Sequence, residues 1–172
     1  VVAEAGNLDA QVDLGIIYQG GYGVTQDPAE AKEWLMKAAE QEYARAQYYV
    51  GELYSVWWKH FGHDVYAEAL KEAVKWYRKA AEQGYVDAQY ELGERYYDGD
   101  YGVKQDYAEA VKWYRMAAEQ GRVDAIRDLE HIYYYGGYGV TQDPAEAKKW
   151  LMKAVEQGDS DAQHDLAIAY LE

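Results

Sequence analysis

Two histidines and an aspartate come nearest to a metal-binding or catalytic motif in this sequence. His60 and His63 lie three residues apart, and Asp64 follows directly. Imidazole nitrogens and carboxylate oxygens bind zinc, but a protein site needs three or four ligands, and the chain contains no cysteine. A nucleophile elbow, a phosphate-binding glycine loop after a strand and a His-Glu-x-x-His motif are also missing from the sequence. We therefore predict no catalytic residues, no metal, no cofactor and no enzymatic activity.

Tyrosine is the other chemically informative residue type. The 172 residues include 20 tyrosines but a single phenylalanine. A core gains nothing from hydroxyl groups that must find hydrogen-bond partners, whereas recognition surfaces use rigid amphipathic rings of this kind. Trp57, Trp58 and Phe61 form a second aromatic group. The elements that position these rings follow from an internal repeat.

The repeat is shown by two segments of 22 residues. Gly20 to Gln41 returns at Gly136 to Gln157 with differences at only two positions, which marks an internal duplication. The tryptophans Trp34, Trp76, Trp113 and Trp150 place two further copies between them. We predict a single solenoid domain over 1–172, with units at 8–43, 44–85, 86–122 and 123–159, a partial unit at 160–172, and the tail of a preceding helix at 1–7.

Each unit has the pattern of two helices. Apolar residues at i, i+4 and i+8, as in Ala88, Leu92 and Tyr96, share one face of the first helix. The second helix starts after an aspartate that can cap it, and in the duplicated segment proline follows, as in Asp27-Pro28. Glycine ends the second helix in most units.

These residues resemble the Sel-like repeat family, which is related to the tetratricopeptide repeats. The resemblance rests on Ala-x-x-x-Leu-Gly-x-x-Tyr at Ala88–Tyr96, on the Gly-x-Gly-Val loop at Gly21–Val24, and on Ala-x-x-Trp followed by Lys-Ala-Ala-Glu-Gln. It implies an all-α fold, a right-handed superhelix of antiparallel helix pairs with about four and a half repeats. It also implies that the first helices line the concave face, and that the protein is an adaptor or scaffold and not an enzyme.

Tyrosines and charged residues occupy the first-helix positions that this resemblance turns toward the concave face. Such a mixture is typical of a recognition surface, so we predict that it binds a protein or an extended peptide. The net charge of −14 favours a basic partner and disfavours nucleic acid. The predicted site consists of Arg45, Tyr48, Glu52, Asp87, Tyr90, Glu94, Tyr97, Asp124, Arg127, His131 and Tyr134.

The second unit departs most from the repeat. Five extra residues lie between Asp64 and Trp76, and they are expected to lengthen the second helix at its N-terminus, with Asp64 as its cap and Gly62 ending an extended first helix. The end of this helix pair would then carry Trp57, Trp58 and Phe61. These rings would either pack together or be exposed as an alternative partner site. Two other functions stay open: a ligand or glycan receptor that uses these rings, and an engineered repeat scaffold.

Two glutamates replace small residues of the repeat. Glu42 stands where other units have glycine at the end of the second helix, and we expect a positive φ there. Glu130 replaces the glycine found at Gly51 and Gly93, where helices approach closely. A local tilt that lets Glu130 reach solvent is the simpler expectation, and a buried functional acid is the alternative.

Membrane insertion is not expected, because no apolar run approaches the roughly 18 residues of a spanning helix. The start of the chain shows no charged-then-apolar signal pattern. A cytoplasmic location and, after signal removal, a periplasmic or secreted one both fit the sequence. Self-association and the oligomeric state stay open.

Overall fold

The computed structural model describes residues 3–57, 63–100, 102–137 and 139–169. Helices dominate this part of the chain, and none of its residues belongs to a strand; an isolated antiparallel bridge joins Gly137 and Val140. The helices are α1 (Leu8–Gly20), α2 (Pro28–Ala39), α3 (Ala44–Trp57), α4 (His63–Glu82), α5 (Val86–Asp98), α6 (Tyr107–Glu119), α7 (Val123–Tyr135), α8 (Pro144–Glu156) and α9 (Ser160–Ala169).

The helices stack in chain order. Each packs on the helix before it and the helix after it, and α1 also contacts α3. We call α1–α2, α3–α4, α5–α6 and α7–α8 units one to four. The core runs between neighbouring helices as three clusters in which alanine is frequent, for example Ala38, Ala46 and Ala88, each with 0% exposure. These small side chains allow the helices to approach closely. The helix order and the packing of each helix on its neighbours confirm the predicted all-α solenoid.

Aspartate caps start the second helices of units one, three and four, as predicted. The Asp27 carboxylate accepts hydrogen bonds from the N–H groups of Ala29 (3.0 Å) and Glu30 (3.1 Å), and Asp106 does the same for α6. Pro28 occupies the first turn, where its missing N–H removes no hydrogen bond. These caps satisfy donors that would otherwise be unpaired at the helix start.

Buried glutamines join successive units. The amide nitrogens of Gln47 and Gln89 donate to the carbonyl oxygens of Ala39 (3.3 Å) and Ala81 (3.2 Å), which lie at the ends of the preceding second helices. Ile126 occupies the equivalent position in unit four and is fully buried. At this position unit four therefore packs on unit three through an apolar side chain, whereas units two and three each donate a glutamine hydrogen bond to the preceding unit.

The long second helix of unit two is present. α4 has 20 residues and α6 has 13, and the additional turns lie at the N-terminus of α4. The expected cap at Asp64 is wrong by two residues, because α4 begins at His63 and Asp64 lies within its first turn. The predicted end of the first helix at Gly62, the residues Trp58, His60 and Phe61, and the side chains of Trp57, His63 and Asp64 lie outside the described residues.

Glu42 has the expected left-handed backbone, with a φ of 60°, and no other non-glycine residue in the described ranges has a positive φ. We expect Glu42→Gly to raise the free energy of unfolding by about 0.5–1 kcal/mol, because a residue without Cβ relieves this conformation. Urea unfolding measures the gain. The matched control is Gly84→Ala at the equivalent position (φ 87°), where nothing lies within 4 Å of an added Cβ; it should lose a similar amount. A less stable Glu42→Gly chain would contradict this account.

Candidate functional site

The candidate site is a groove on α3, α5 and α7 that carries Tyr48, Glu52, Tyr90, Glu94 and Asp128. Successive helices bring these groups together. The Tyr48 ring lies 5.8 Å from that of Tyr77 in its own unit and 5.1 Å from that of Tyr85, which precedes α5. Tyr90 hydrogen-bonds Asp128 on the next first helix. The groove therefore continues from unit two into unit four.

Two buried tyrosines from the second helices form the floor of the groove. The Tyr77 hydroxyl donates to the Glu52 carboxylate at 2.5 Å, and the Tyr114 hydroxyl donates to Glu94 in the same way. Burial raises the pKa of both carboxyls, and the hydrogen bond from each tyrosine opposes that rise. Glu52 and Glu94 were predicted site residues, but the tyrosines that hold them were not.

Glycine makes room for each of these tyrosines. A Cβ added at Gly51 would lie 2.6 Å from Cε1 of Tyr77, and one at Gly93 would lie 2.6 Å from Cδ1 of Tyr114. The sequence carried a signal for this arrangement. Tyrosine follows the unit tryptophan only in units two and three, and these are the units in which glutamate follows the glycine of the first helix.

Arginines at the edges of the groove are paired within the chain. Arg45 binds two carboxylates of unit one, at 3.2 and 2.8 Å. Arg122 binds one carboxylate of unit three and one of unit four, and Arg127 binds two carboxylates at the N-terminal end of α9. Their partners are Asp9 and Asp13 for Arg45, Asp87 and Asp124 for Arg122, and Asp159 and Asp161 for Arg127. The predicted site residues Arg45, Asp87, Asp124 and Arg127 thus lie in ion pairs that hold neighbouring units together.

Aromatic side chains surround the end of α7. The His131 ring lies 4.6 Å from that of Tyr135, which in turn lies 4.9 Å from that of Tyr134. Tyr134 is 51% exposed and Tyr135 is 65% exposed. Tyr97, the remaining predicted tyrosine, packs edge-on against Tyr107 at 5.1 Å. Of these exposed rings, Tyr135 was not predicted from the sequence.

Glu130 is half-buried and lines two cavities. One has a volume of about 520 Å³ and is also lined by Glu94, Tyr114 and Asp128; the other has about 590 Å³ and extends to Tyr134. Burial raises the pKa of Glu130. The glutamate at this glycine position therefore borders open space between α7 and its neighbours.

Asp128 is the most perturbed carboxyl of the groove. Burial and the nearby Glu94 carboxylate raise its pKa to about 6, although the hydrogen bond with Tyr90 acts in the opposite direction. Its Oδ2 atom is buried and has no hydrogen-bond partner in the described part of the chain. Asp128 was missed because the equivalent residue of unit one, Asp13, is also an aspartate, so the sequence did not set Asp128 apart. In the structure Asp13 is exposed.

Metal sites and catalytic sites require histidines, carboxylates or nucleophiles in defined arrangements. Within the described ranges, no three or more histidine and carboxylate side chains are placed to hold a metal ion together. The carboxylates of the groove face tyrosine hydroxyls and one another, and no serine, threonine or lysine among the described residues lines the cavity of about 520 Å³. Among the same residues, no helix is both long and apolar enough to cross a bilayer.

Comparisons with known proteins point to one family. The Sel1 repeat model matches residues 8–43, 44–85, 86–121 and 131–159. No curated protein sequence matches the chain. The match to unit four begins at residue 131, so the segment 122–130, which includes Asp128 and Glu130, lies outside the matched repeats.

Two crystal structures are similar over nearly the whole chain. A protective antigen present in uropathogenic Escherichia coli strains, which displays an SLR fold, is 41% identical with a TM-score of 0.81; the match covers 98% of this chain and 34% of that one. A Sel1 repeat protein from Oxalobacter formigenes is 39% identical with a TM-score of 0.78, covering 95% and 64%. The chain thus spans about a third of the first protein and less than two thirds of the second.

Sel1 repeat proteins are generally protein-interaction modules and are generally non-enzymatic. The four matched repeats extend over most of the sequence, and the two similar structures carry the same helix pairs. The chain belongs to the Sel1 repeat family.

Proposed function

We propose that this chain is a non-enzymatic module that binds a basic, extended segment of a partner protein in the groove. One observation carries the proposal. Tyrosines and partly buried carboxylates follow each other along α3, α5 and α7, while the arginines at the groove edges are already paired within the chain. The groove therefore presents unneutralised negative charge beside aromatic surface.

Both features favour a cationic peptide. Tyrosine supplies a large contact area at a low cost in conformational entropy, because it has only two side-chain torsions. The raised pKa values of Glu52, Glu94 and Asp128 mean that ionised carboxylates are disfavoured there in the free protein. A bound cation would stabilise the ionised forms, and the net charge of −14 would steer a basic partner toward the protein.

A random peptide library, selected on the immobilised chain, tests this proposal. We expect the selected peptides to be rich in lysine and arginine, and we expect Tyr48→Ala and Tyr90→Ala each to weaken their binding by about tenfold. Association should also slow as salt concentration rises, because added ions screen the attraction.

Met116→Ala is the matched control, since Met116 is an exposed apolar residue on the second helix α6, away from the groove. Its affinity for the selected peptides should equal that of the unmodified chain. Circular dichroism of each variant shows that the fold is retained. Peptides that bind both tyrosine variants as tightly as the unmodified chain would overturn the groove as the binding site.

A further inference from the structure

Unit four differs from units two and three at three positions that face the groove. In units two and three, a glycine on the first helix is followed by a glutamate, and a tyrosine of the second helix passes beside the glycine to donate to that glutamate. Unit four has Glu130, His131 and Leu151 at the same positions. Leucine is shorter than tyrosine and has no hydroxyl, so unit four lacks both the ring and the donor of its neighbours.

The missing ring coincides with open volume. The cavities of about 520 and 590 Å³ both have Glu130, His131, Leu151 and Asp165 in their walls. They therefore adjoin at the position that Tyr77 and Tyr114 fill in units two and three. Both are large enough to admit a long side chain of a bound peptide. We call them together the unit-four cavity.

Six carboxylates among the described residues line this cavity, against two lysine or arginine side chains, Arg127 and Lys148. Arg127 lines it, but its guanidinium is held by Asp159 through two hydrogen bonds, at 2.8 and 2.7 Å, and by Asp161 at 2.8 Å. Asp128 has a buried oxygen without a hydrogen-bond partner in the described chain. The other carboxylates of the lining are Glu94, Asp98, Glu130 and Asp165.

One wall of the cavity is aromatic. His131, Tyr134 and Tyr135 contact one another edge to face or at a tilt, and the two tyrosines expose more than half of their surface. The negative faces of tyrosine rings attract cations, and guanidinium groups also stack on them. The wall and the carboxylates are thus two separate features that favour the same kind of ligand.

We propose that the unit-four cavity binds the guanidinium group of an arginine side chain in the partner, which thereby anchors the partner on this module. A planar guanidinium can pair with a carboxylate on one side and stack on a tyrosine on the other, and its donors replace the tyrosine hydroxyl that units two and three supply. The proposal rests on the proposed function, because it names the side chain that the groove selects. Asp128 and Glu130 lie in the segment 122–130, outside the matched repeats.

The test uses Nα-acetyl-arginine amide as the probe and NMR spectra of the ¹⁵N-labelled chain as the readout. We expect saturable shifts confined to the helices that line the cavity, α5 to α9. The dissociation constant should lie in the millimolar range, because the probe offers a single side chain. Nα-acetyl-citrulline amide has nearly the same shape without the charge and should cause no saturable shifts. Nα-acetyl-lysine amide should bind several-fold more weakly, and equal binding would overturn the choice of guanidinium.

Two variants locate the probe. Asp128→Asn should weaken binding of the arginine probe by about tenfold, whereas Glu156→Gln, the same change of charge at an exposed position of α8, should leave it unchanged. Shifts spread over all units, or equal affinity of the Asp128→Asn chain, would overturn the proposal.

Failure of this inference can be told apart from failure of the proposed function. Selected peptides that lose affinity with Tyr48→Ala or Tyr90→Ala, but bind the Asp128→Asn chain normally and need no arginine, would retain the groove and remove the arginine site. Saturable arginine-probe shifts in unit four, together with selected peptides that ignore both tyrosine variants, would retain the cavity and remove the extended groove.

Discussion

Tyr114→Phe is expected to lower the free energy of unfolding by about 2–3 kcal/mol at pH 8. The substitution removes only the hydroxyl that donates to Glu94, and it leaves a partly buried carboxylate without that donor. Loss of a hydrogen bond to a buried charge costs more than the net gain from forming one, because the remaining group keeps its desolvation penalty. Urea unfolding followed by circular dichroism measures the loss.

The loss should depend on pH in a defined direction. Burial already raises the pKa of Glu94, and the Tyr114 hydroxyl lowers it, so the variant has a still higher pKa in the folded state. Ionisation of Glu94 then opposes folding above that pKa, and protonation relieves the cost as the pH falls. We expect a clearly smaller loss at pH 5 than at pH 8.

Three companion variants sharpen this experiment. Tyr22→Phe alters a tyrosine that is 69% exposed and should change stability by less than about 0.5 kcal/mol. Glu94→Gln with Tyr114→Phe removes the charge and the hydroxyl together, so it should be more stable at pH 8 than Tyr114→Phe alone. An equal loss from Tyr114→Phe at both pH values would show that Glu94 is not the source of the effect.

Asp128→Asn is expected to stabilise the chain by about 1–2 kcal/mol at pH 8. The pKa of Asp128 is raised to about 6, so its ionised form is disfavoured in the folded protein relative to the unfolded chain. The full shift would correspond to about 3 kcal/mol, and the partial solvent exposure of the side chain reduces that figure. Asparagine has nearly the same shape and carries no charge.

The sign of the pH dependence follows from the raised pKa. Ionised Asp128 destabilises the fold above pH 6, and the cost disappears as the pH falls below the unfolded value near 4. The advantage of Asp128→Asn should therefore be largest at pH 8, shrink below pH 6 and vanish near pH 4. Glu94, Asp124 and His131 also act on Asp128, so the profile is best measured as a difference between the two chains.

Thermal unfolding from pH 4 to pH 8 provides this comparison, with Glu156→Gln as the control for a simple loss of one negative charge. An Asp128→Asn chain less stable than the unmodified one at pH 8 would refute the account. The expected result also links stability to recognition: the same substitution should strengthen the fold and weaken arginine binding. Asp128 would then lower the free energy of unfolding while it contributes to ligand binding, which is a common trade-off between stability and function.

The helices and their order could be predicted from the sequence because they depend on local spacing. The duplication of Gly20 to Gln41 shows the solenoid, and the aspartate caps and apolar periodicity mark the helices. The positive φ of Glu42 followed from its alignment with glycine. Each of these features involves neighbouring residues or a comparison of equivalent positions, so no distance between units was needed.

The line of tyrosines and carboxylates was also visible, because residues four apart share one helix face. Tyr48 and Glu52, and likewise Tyr90 and Glu94, were placed together for this reason. What those side chains contact could not be derived from that face alone. Arg127, for example, was expected to meet the partner, but Asp159 and Asp161 already hold it.

Local sequence patterns define the repeat, the helix pairs and the acidic, tyrosine-rich character of the first helices. Packing between the helices brings Tyr114 to Glu94 from the second helix, places Asp128 near Glu94 and beside Tyr90, and leaves a cavity between Leu151 and Glu130. The physical reason is distance. Helix propensity acts over a few residues, whereas desolvation, the pKa of a carboxyl and the shape of a cavity depend on side chains that are brought together only when the units stack.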